Sequence, residues 1–344
     1  MIELGLDTFG DVTFDTGGRP VSQAQALRNV VEEGVLADQV GVDAFGVGEH
    51  HRPDFAVSAP EVVLAAIAGQ TKRIVLGSAV TVLSTDDPIR VFQRFSTLNA
   101  ISNGRAEVIL GRGSFTESYP LFGYDLAKYN ELFEEKLDRF AKLLDGQPVV
   151  YPPIEHGRLR TWVGVGGSPE SVVRAARHGL PLTLAIIGGS AKRFLPYVEL
   201  YERALKELGR EELPIAVHSP GHIAEIDDQA REDLWPHYMA MMNRIGRERG
   251  WPTRGRDDFE REAGPDGALY VGSPETVAAK IARTVADLGL SRFDLKYSSG
   301  TLPHDKLMKS IELFGTKVMP LVREAIDDSR AAVSTQSRKA AEIA

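Results

Sequence analysis

Three groups of residues in this chain have side chains and spacings that could do chemistry. The run Asp43-Ala44-Phe45-Gly46-Val47-Gly48-Glu49-His50-His51 brings a carboxylate and two imidazoles to the carboxyl end of an apolar, strand-like stretch. That combination suits proton transfer, because histidine titrates closest to neutrality. The competing reading is a histidine hydrogen-bonded only for structure. Successive strand residues face opposite ways, so a strand that stays regular would turn only one of His50 and His51 toward a common site.

The second group is Arg112, in Leu110-Gly111-Arg112-Gly113-Ser114. Its glycine neighbours let guanidinium and backbone approach an anion, and arginine grips phosphate through paired hydrogen bonds. A salt bridge is the alternative reading. The third is a short sequence that occurs twice, Gly167-Ser168-Pro169-Glu170-Ser171-Val172 and Gly272-Ser273-Pro274-Glu275-Thr276-Val277. Serine as N-cap and proline as first helical residue make both copies well-capped helix starts. The first copy follows Trp162-Val163-Gly164-Val165-Gly166-Gly167, which leaves small residues and free amides at a helix N-terminus, a setting that suits phosphate. Barrel enzymes often bind phosphate after their last strands, which favours the second copy. These grounds alone do not separate the two. Gly77, Ser78 and Ala79 leave room where a flat ring could rest, or else mark tight packing.

Elements that could hold these groups alternate along the chain. Strands are expected at Ile2 to Thr8, Ala44 to Gly48, Ile74 to Val82, Ala106 to Leu110, Thr161 to Val165, Leu182 to Ile186, Ile215 to Ile226 and Arg292 to Tyr297. Helical patterns lie between them, as in Asn130 to Leu144, where Leu132, Phe133, Leu137, Phe140 and Leu144 recur at helical spacing. Strand then helix, eight times over, predicts an α/β fold of the (β/α)8 TIM-barrel type, in which catalytic groups sit at the carboxyl ends of the strands. Residues 1–328 are expected to form one such domain, with a frayed tail over 329–344. Ser114 to Lys128 reads as a long loop above the barrel. Asp227 to Gly267, with Trp235, Met239, Met241, Met242 and Trp251, reads as a lid over its mouth.

The bulk properties narrow the partners. The 344 residues are 43% hydrophobic and 26% charged, with a formal charge of −8. That balance argues against nucleic acid or an anionic membrane as partner. There is no cysteine, so disulfides and thiolate chemistry are excluded. No apolar run approaches bilayer-spanning length, and the first residues read as a strand rather than a signal peptide, so a cytoplasmic location is expected. Glu49, His50 and His51 could also serve a metal-dependent hydrolase, but the other histidines form no convincing ligand set. No metal is expected.

In order and spacing, several segments resemble the bacterial luciferase-like flavin monooxygenase family. They are Glu49-His50-His51, Leu76 to Leu83 followed by Pro88-Ile89-Arg90, Leu98 to Arg105, Gly111-Arg112-Gly113, Val163 to Ser171, and Tyr270 to Val277. The resemblance implies an oxidoreductase that takes reduced FMN from a separate flavin reductase, forms a flavin hydroperoxide with O2 and oxygenates a small organic substrate, as a homodimer. It further implies His50 as the acid/base group beside the flavin, with Glu49 in the same catalytic site; strand alternation would then turn His51 away. Ala79 and Val80, next to Ser78, match a non-prolyl cis peptide beneath the ring. Arg112, Gly167, Ser168 and Ser171 match phosphate-binding positions, which selects the first repeated motif. Ile186 falls where the luciferases carry a tryptophan near the flavin and Gly111 where they carry a cysteine, departures that count against light emission. An F420-dependent hydride-transferring enzyme on the same fold, and a protein that binds flavin without turnover, are the alternatives.

Overall fold

The computed structural model describes residues 1–329 and 331. Its strands are β1 (Glu3–Thr8), β2 (Ala44–Val47), β3 (Val75–Val82), β4 (Ala106–Gly111), β5 (Arg160–Val165), β6 (Leu182–Ala185), β7 (Ile215–Ile223), β8 (Tyr270–Gly272) and β9 (Arg292–Lys296). All pairings are parallel. β1 through β7 and β9 close into a ring, with β6 paired to β7, β7 to β9 and β9 to β1. Helices cover the outside, giving a (β/α)8 barrel. The ninth strand, β8, was not expected; it pairs only with the overhang Gly221–Ile223 at the end of β7. Strand β7 accordingly stops at Ile223, short of the expected Ile226.

The outer shell of the barrel explains the apolar runs. In β1, Leu4 and Leu6 are fully buried beneath the helices, while Asp7 lines the lumen. In the helix Tyr129–Leu144, Phe133, Leu137, Phe140 and Leu143 form the buried stripe. Helix starts are chemically set: Ser22 accepts from the Gln25 amide, and Asp87 caps Pro88–Ile101 by accepting from the Ile89 and Arg90 amides. The segment Ser114 to Lys128 is not a plain loop, since it folds into helical turns at Ser118–Leu121 and Leu126–Lys128 around fully buried Tyr119.

Over the mouth runs the long helix Asp227–Arg249, followed by the helix Arg256–Ala263. Among the described residues no helix is long and apolar enough to cross a membrane. The expected frayed tail lies outside the described residues, apart from Ser329 and Ala331.

Candidate active site

A cavity of about 510 Å³ opens among the carboxyl ends of the strands. β2 ends at Val47; the Gly48 and Glu49 amides still donate to the Thr8 and Val80 carbonyls of the flanking strands, and the His50 amide then turns to the Val57 carbonyl. Strand alternation no longer governs the residues beyond that point. His50, His51 and Glu49 therefore all line the cavity, which corrects the expectation that His51 turns away. Glu49 pairs with His51 rather than His50: its Oε1 lies 2.9 Å from His51 Nε2, and its Oε2 accepts from the Val82 amide at 2.8 Å.

His50 stands apart from this pair. Its ring is walled by Phe9 and Phe55, each 4.5 Å away between centroids, and by Phe115 at 5.2 Å. Its Nε2 is buried without a hydrogen-bond partner among the described residues. Burial pushes the imidazole down from its ordinary value near 6.5 to about 3, with Lys296, His51 and Arg52 adding to the effect and Asp11 opposing it. The ring is thus neutral at pH 7, a group that can donate or accept a hydrogen bond at the cavity wall.

This shift has a consequence for stability. Between pH 6.5 and 3 the unfolded chain takes up a proton at His50 that the folded chain refuses. The stability it contributes is fully present above 6.5 and is lost as pH falls toward 3. The wild type should therefore lose more unfolding free energy between pH 7 and pH 5 than His50→Phe, as read from urea midpoints. Equal losses would show that the ring titrates alike in both states.

At the ends of β4 and β5 the cavity has a different character. Arg112 bonds Asn130 Oδ1 at 2.7 Å and lies over the Tyr129 ring, with no carboxylate partner among the described residues. The chain leaves β5 through Gly166 and Gly167; a Cβ added at Gly166 would meet nothing within 4 Å. Ser168 then caps the helix Pro169–His178, and its hydroxyl donates to exposed Glu170. The second repeated motif differs in one decisive respect. There the carboxylate of Asp227 accepts from the Ser273 amide at 2.7 Å and from the Thr276 hydroxyl at 3.0 Å. The protein's own anion fills that helix start.

The peptide between Ala79 and Val80 is cis, as the resemblance implied, and both residues line the cavity with Gly111, Arg112, Gly167 and Ser168. Three expected positions do not line it. Ser78 is fully buried, its hydroxyl accepting from the Ile109 amide and from Thr81. Ser171 lies behind the helix start, bonded to Ser168 and Arg174. Ile186 points into the outer core, and its neighbours Ala185 and Ile187 face the cavity instead. Nor does Gly77 leave room for a ring, because the Glu107 side chain occupies that space, 2.5 Å from where a Cβ would stand.

What the sequence reading missed is the charge inside the barrel. Asp7, His218, Arg292, Asp294 and Lys296 all line the lower cavity. Arg292, 2% exposed, holds Glu107 at 2.5 Å and Asp294 at 2.8 Å. Burial pushes Asp294 up to about 6, against the pull of Arg292 and with Asp7 adding to it. The signal was present in Arg292-Phe293-Asp294-Leu295-Lys296, which alternates charged and apolar residues where a parallel strand buried on both faces normally reads as continuously apolar.

The roof is apolar. Tyr238, Met241, Met242 and Ile245 from the long helix, with Trp251 after it, close over the cavity as expected of a lid. Arg52, with only 8% of its side chain exposed, ties the pieces together through Asp54, Glu117 and Glu248. Among the described residues no three His, Asp, Glu or Cys side chains are grouped to hold a metal.

A family model for luciferase-like monooxygenases matches residues 8–292. The chain belongs to the luciferase-like monooxygenase family. It is thus an oxidoreductase of the luciferase-like class. The alkanal monooxygenase alpha chain of Photorhabdus luminescens is 26% identical, over 88% of this chain and 93% of that one. The oxygenating constituent of 3,6-diketocamphane monooxygenase from Pseudomonas putida, solved with FMN, superposes with a TM-score of 0.74 at 19% identity, covering 94% and 99% of the two chains. An F420-dependent secondary alcohol dehydrogenase gives 0.71 at 16% identity, covering 93% and 99%. At these identities the solved structures share the luciferase-like fold, and no more is read from them.

Proposed function

We propose that this enzyme binds reduced FMN in the mouth cavity and, with O2, oxygenates a small apolar organic substrate. The observation that carries this reading is the pairing, in one cavity, of an anion cradle at the ends of β4 and β5 with a neutral, unpartnered imidazole at the end of β2. The residues present fit the group. Among the described residues Arg112 has no carboxylate partner, the approach at Gly166 is open, and the Thr183 hydroxyl and His50 Nε2 are buried without partners in the cavity wall.

Arg112, with the backbone from Gly166 to Ser168 and the positive end of the following helix, would hold the phosphate. The bound flavin supplies the two electrons that activate O2. His50 holds or accepts a proton at Nε2, while Glu49 orients His51 and anchors it to β3. Phe9, Phe55 and Phe115 keep water from the imidazole, and Met241, Met242 and Trp251 present the substrate with an apolar wall. A separate reductase supplies reduced FMN.

The test is oxygen accounting. Protein charged anaerobically with reduced FMN is mixed with ¹⁸O2 and a panel of alkanals and cyclic ketones. The reading expects one labelled oxygen atom in an organic product for each O2 consumed. Hydride transfer to or from substrate without O2 would contradict it.

A further inference from the structure

Besides His50 and His51, a third imidazole, His218, faces the cavity, and it shares one phenyl ring with His50. Phe9 meets His50 edge-on at 4.5 Å and lies nearly parallel to His218 at 6.0 Å. His218 projects from β7, and its Nδ1 lies 2.7 Å from Asp7 Oδ2 on β1, spanning the strand β9 between them. Asp7 is 2% exposed, and its other oxygen has no partner among the described residues. With Nδ1 committed to Asp7, the ring meets the cavity through Nε2, which makes no hydrogen bond among the described residues.

We propose that His218, paired with the Asp7 carboxylate, is a further hydrogen-bond donor of this cavity beside Arg112 and serves the negative charge that a flavin ring carries only in its reduced state. The proposal rests on the flavin reading above. The charged groups that face His218 are Asp7 from β1, and Asp294 and Lys296 from β9. Burial by itself would lower this imidazole, but Asp7, through its charge and its hydrogen bond, with help from Asp294, outweighs burial and the opposing Lys296, so its pKa is raised. His50 is displaced in the opposite direction. Paired groups pushed apart by their surroundings mark a division of roles, here a neutral ring and a carboxylate-paired donor.

The oxidised isoalloxazine is neutral, whereas the two-electron-reduced ring is largely an anion near neutral pH. An imidazole whose proton is held by a carboxylate in a water-poor cavity therefore favours the reduced form differentially. Asp7 is a positioning residue in this arrangement. It sets the tautomer and charge of His218.

The experiment is an anaerobic titration of wild type, His218→Gln and Asp7→Asn with FMN, oxidised and dithionite-reduced. Wild type should bind reduced FMN at least about tenfold more tightly than oxidised FMN. His218→Gln should lose that preference while its oxidised-FMN affinity stays within about twofold. A tenfold loss equals a fall of about 30 mV in the midpoint potential of the bound two-electron couple. Asp7→Asn should move the potential the same way and lower the His218 pKa in an NMR titration. Should either variant fail to fold, ¹⁵N-histidine wild type decides: the His218 Nε2 signal should move with reduced FMN and stay still with oxidised FMN. An unchanged preference in His218→Gln, or a silent Nε2 signal, overturns the proposal alone. If wild type binds neither form of FMN, the flavin reading falls and this proposal with it.

Discussion

His50→Ala should keep the fold and bind FMN, yet slow oxygen transfer to substrate by roughly 10²- to 10⁴-fold, the usual share of general acid/base catalysis. The reason is geometric: His50 Nε2 is an unpartnered, buried imidazole nitrogen in the cavity wall, and three phenyl rings shield it from water. Without it, reduced flavin should be oxidised unproductively, with more hydrogen peroxide released per substrate converted. His51 is not a silent control, because it shares the cavity and is bound to Glu49. Exposed His156 serves instead, and His156→Ala should behave as wild type. If turnover and peroxide yield are unchanged in His50→Ala, the imidazole is a structural group.

Arg112→Ala should weaken FMN by about 1.5–3 kcal/mol, the range for a hydrogen bond to a charged group, and leave riboflavin nearly unaffected. That is roughly a ten- to hundredfold rise in Kd. The comparison with riboflavin isolates the phosphate, because the two ligands share a ring system. Ser273→Ala is the matched control. Its helix start is already filled by Asp227, so the change should cost about 1 kcal/mol of stability through the lost cap and leave FMN affinity alone. Equal losses of FMN and riboflavin in Arg112→Ala would remove Arg112 from the phosphate site.

The barrel was legible because each of its strands carries an apolar face toward the helices, as Leu4 and Leu6 do in β1. Strand β8 was hidden because Tyr270-Val271-Gly272 is short and leads straight into the Ser273 cap. Two errors at the site share one cause: local rules were carried past the point where tertiary structure takes over. Alternation failed at His51 because β2 had already ended at Val47. The space expected at Gly77 is real in sequence terms but is filled by Glu107, thirty residues away. Ile186 rested on the resemblance alone, and in this chain Thr183, Ala185 and Ile187 line the cavity instead. The difference between the two repeated helix starts was invisible from either copy, because it comes from Asp227, a residue distant from both. The His218–Asp7 pair joins residues 211 apart, and no local pattern could have announced it.

A cavity built for FMN should tell it from F420 when the purified protein is titrated with the two side by side, following heat and absorbance. FMN should bind saturably, one to one, with Arg112→Ala weakening it, and F420 should bind more weakly. Saturation by F420 with no measurable binding of FMN, oxidised or reduced, would contradict that preference.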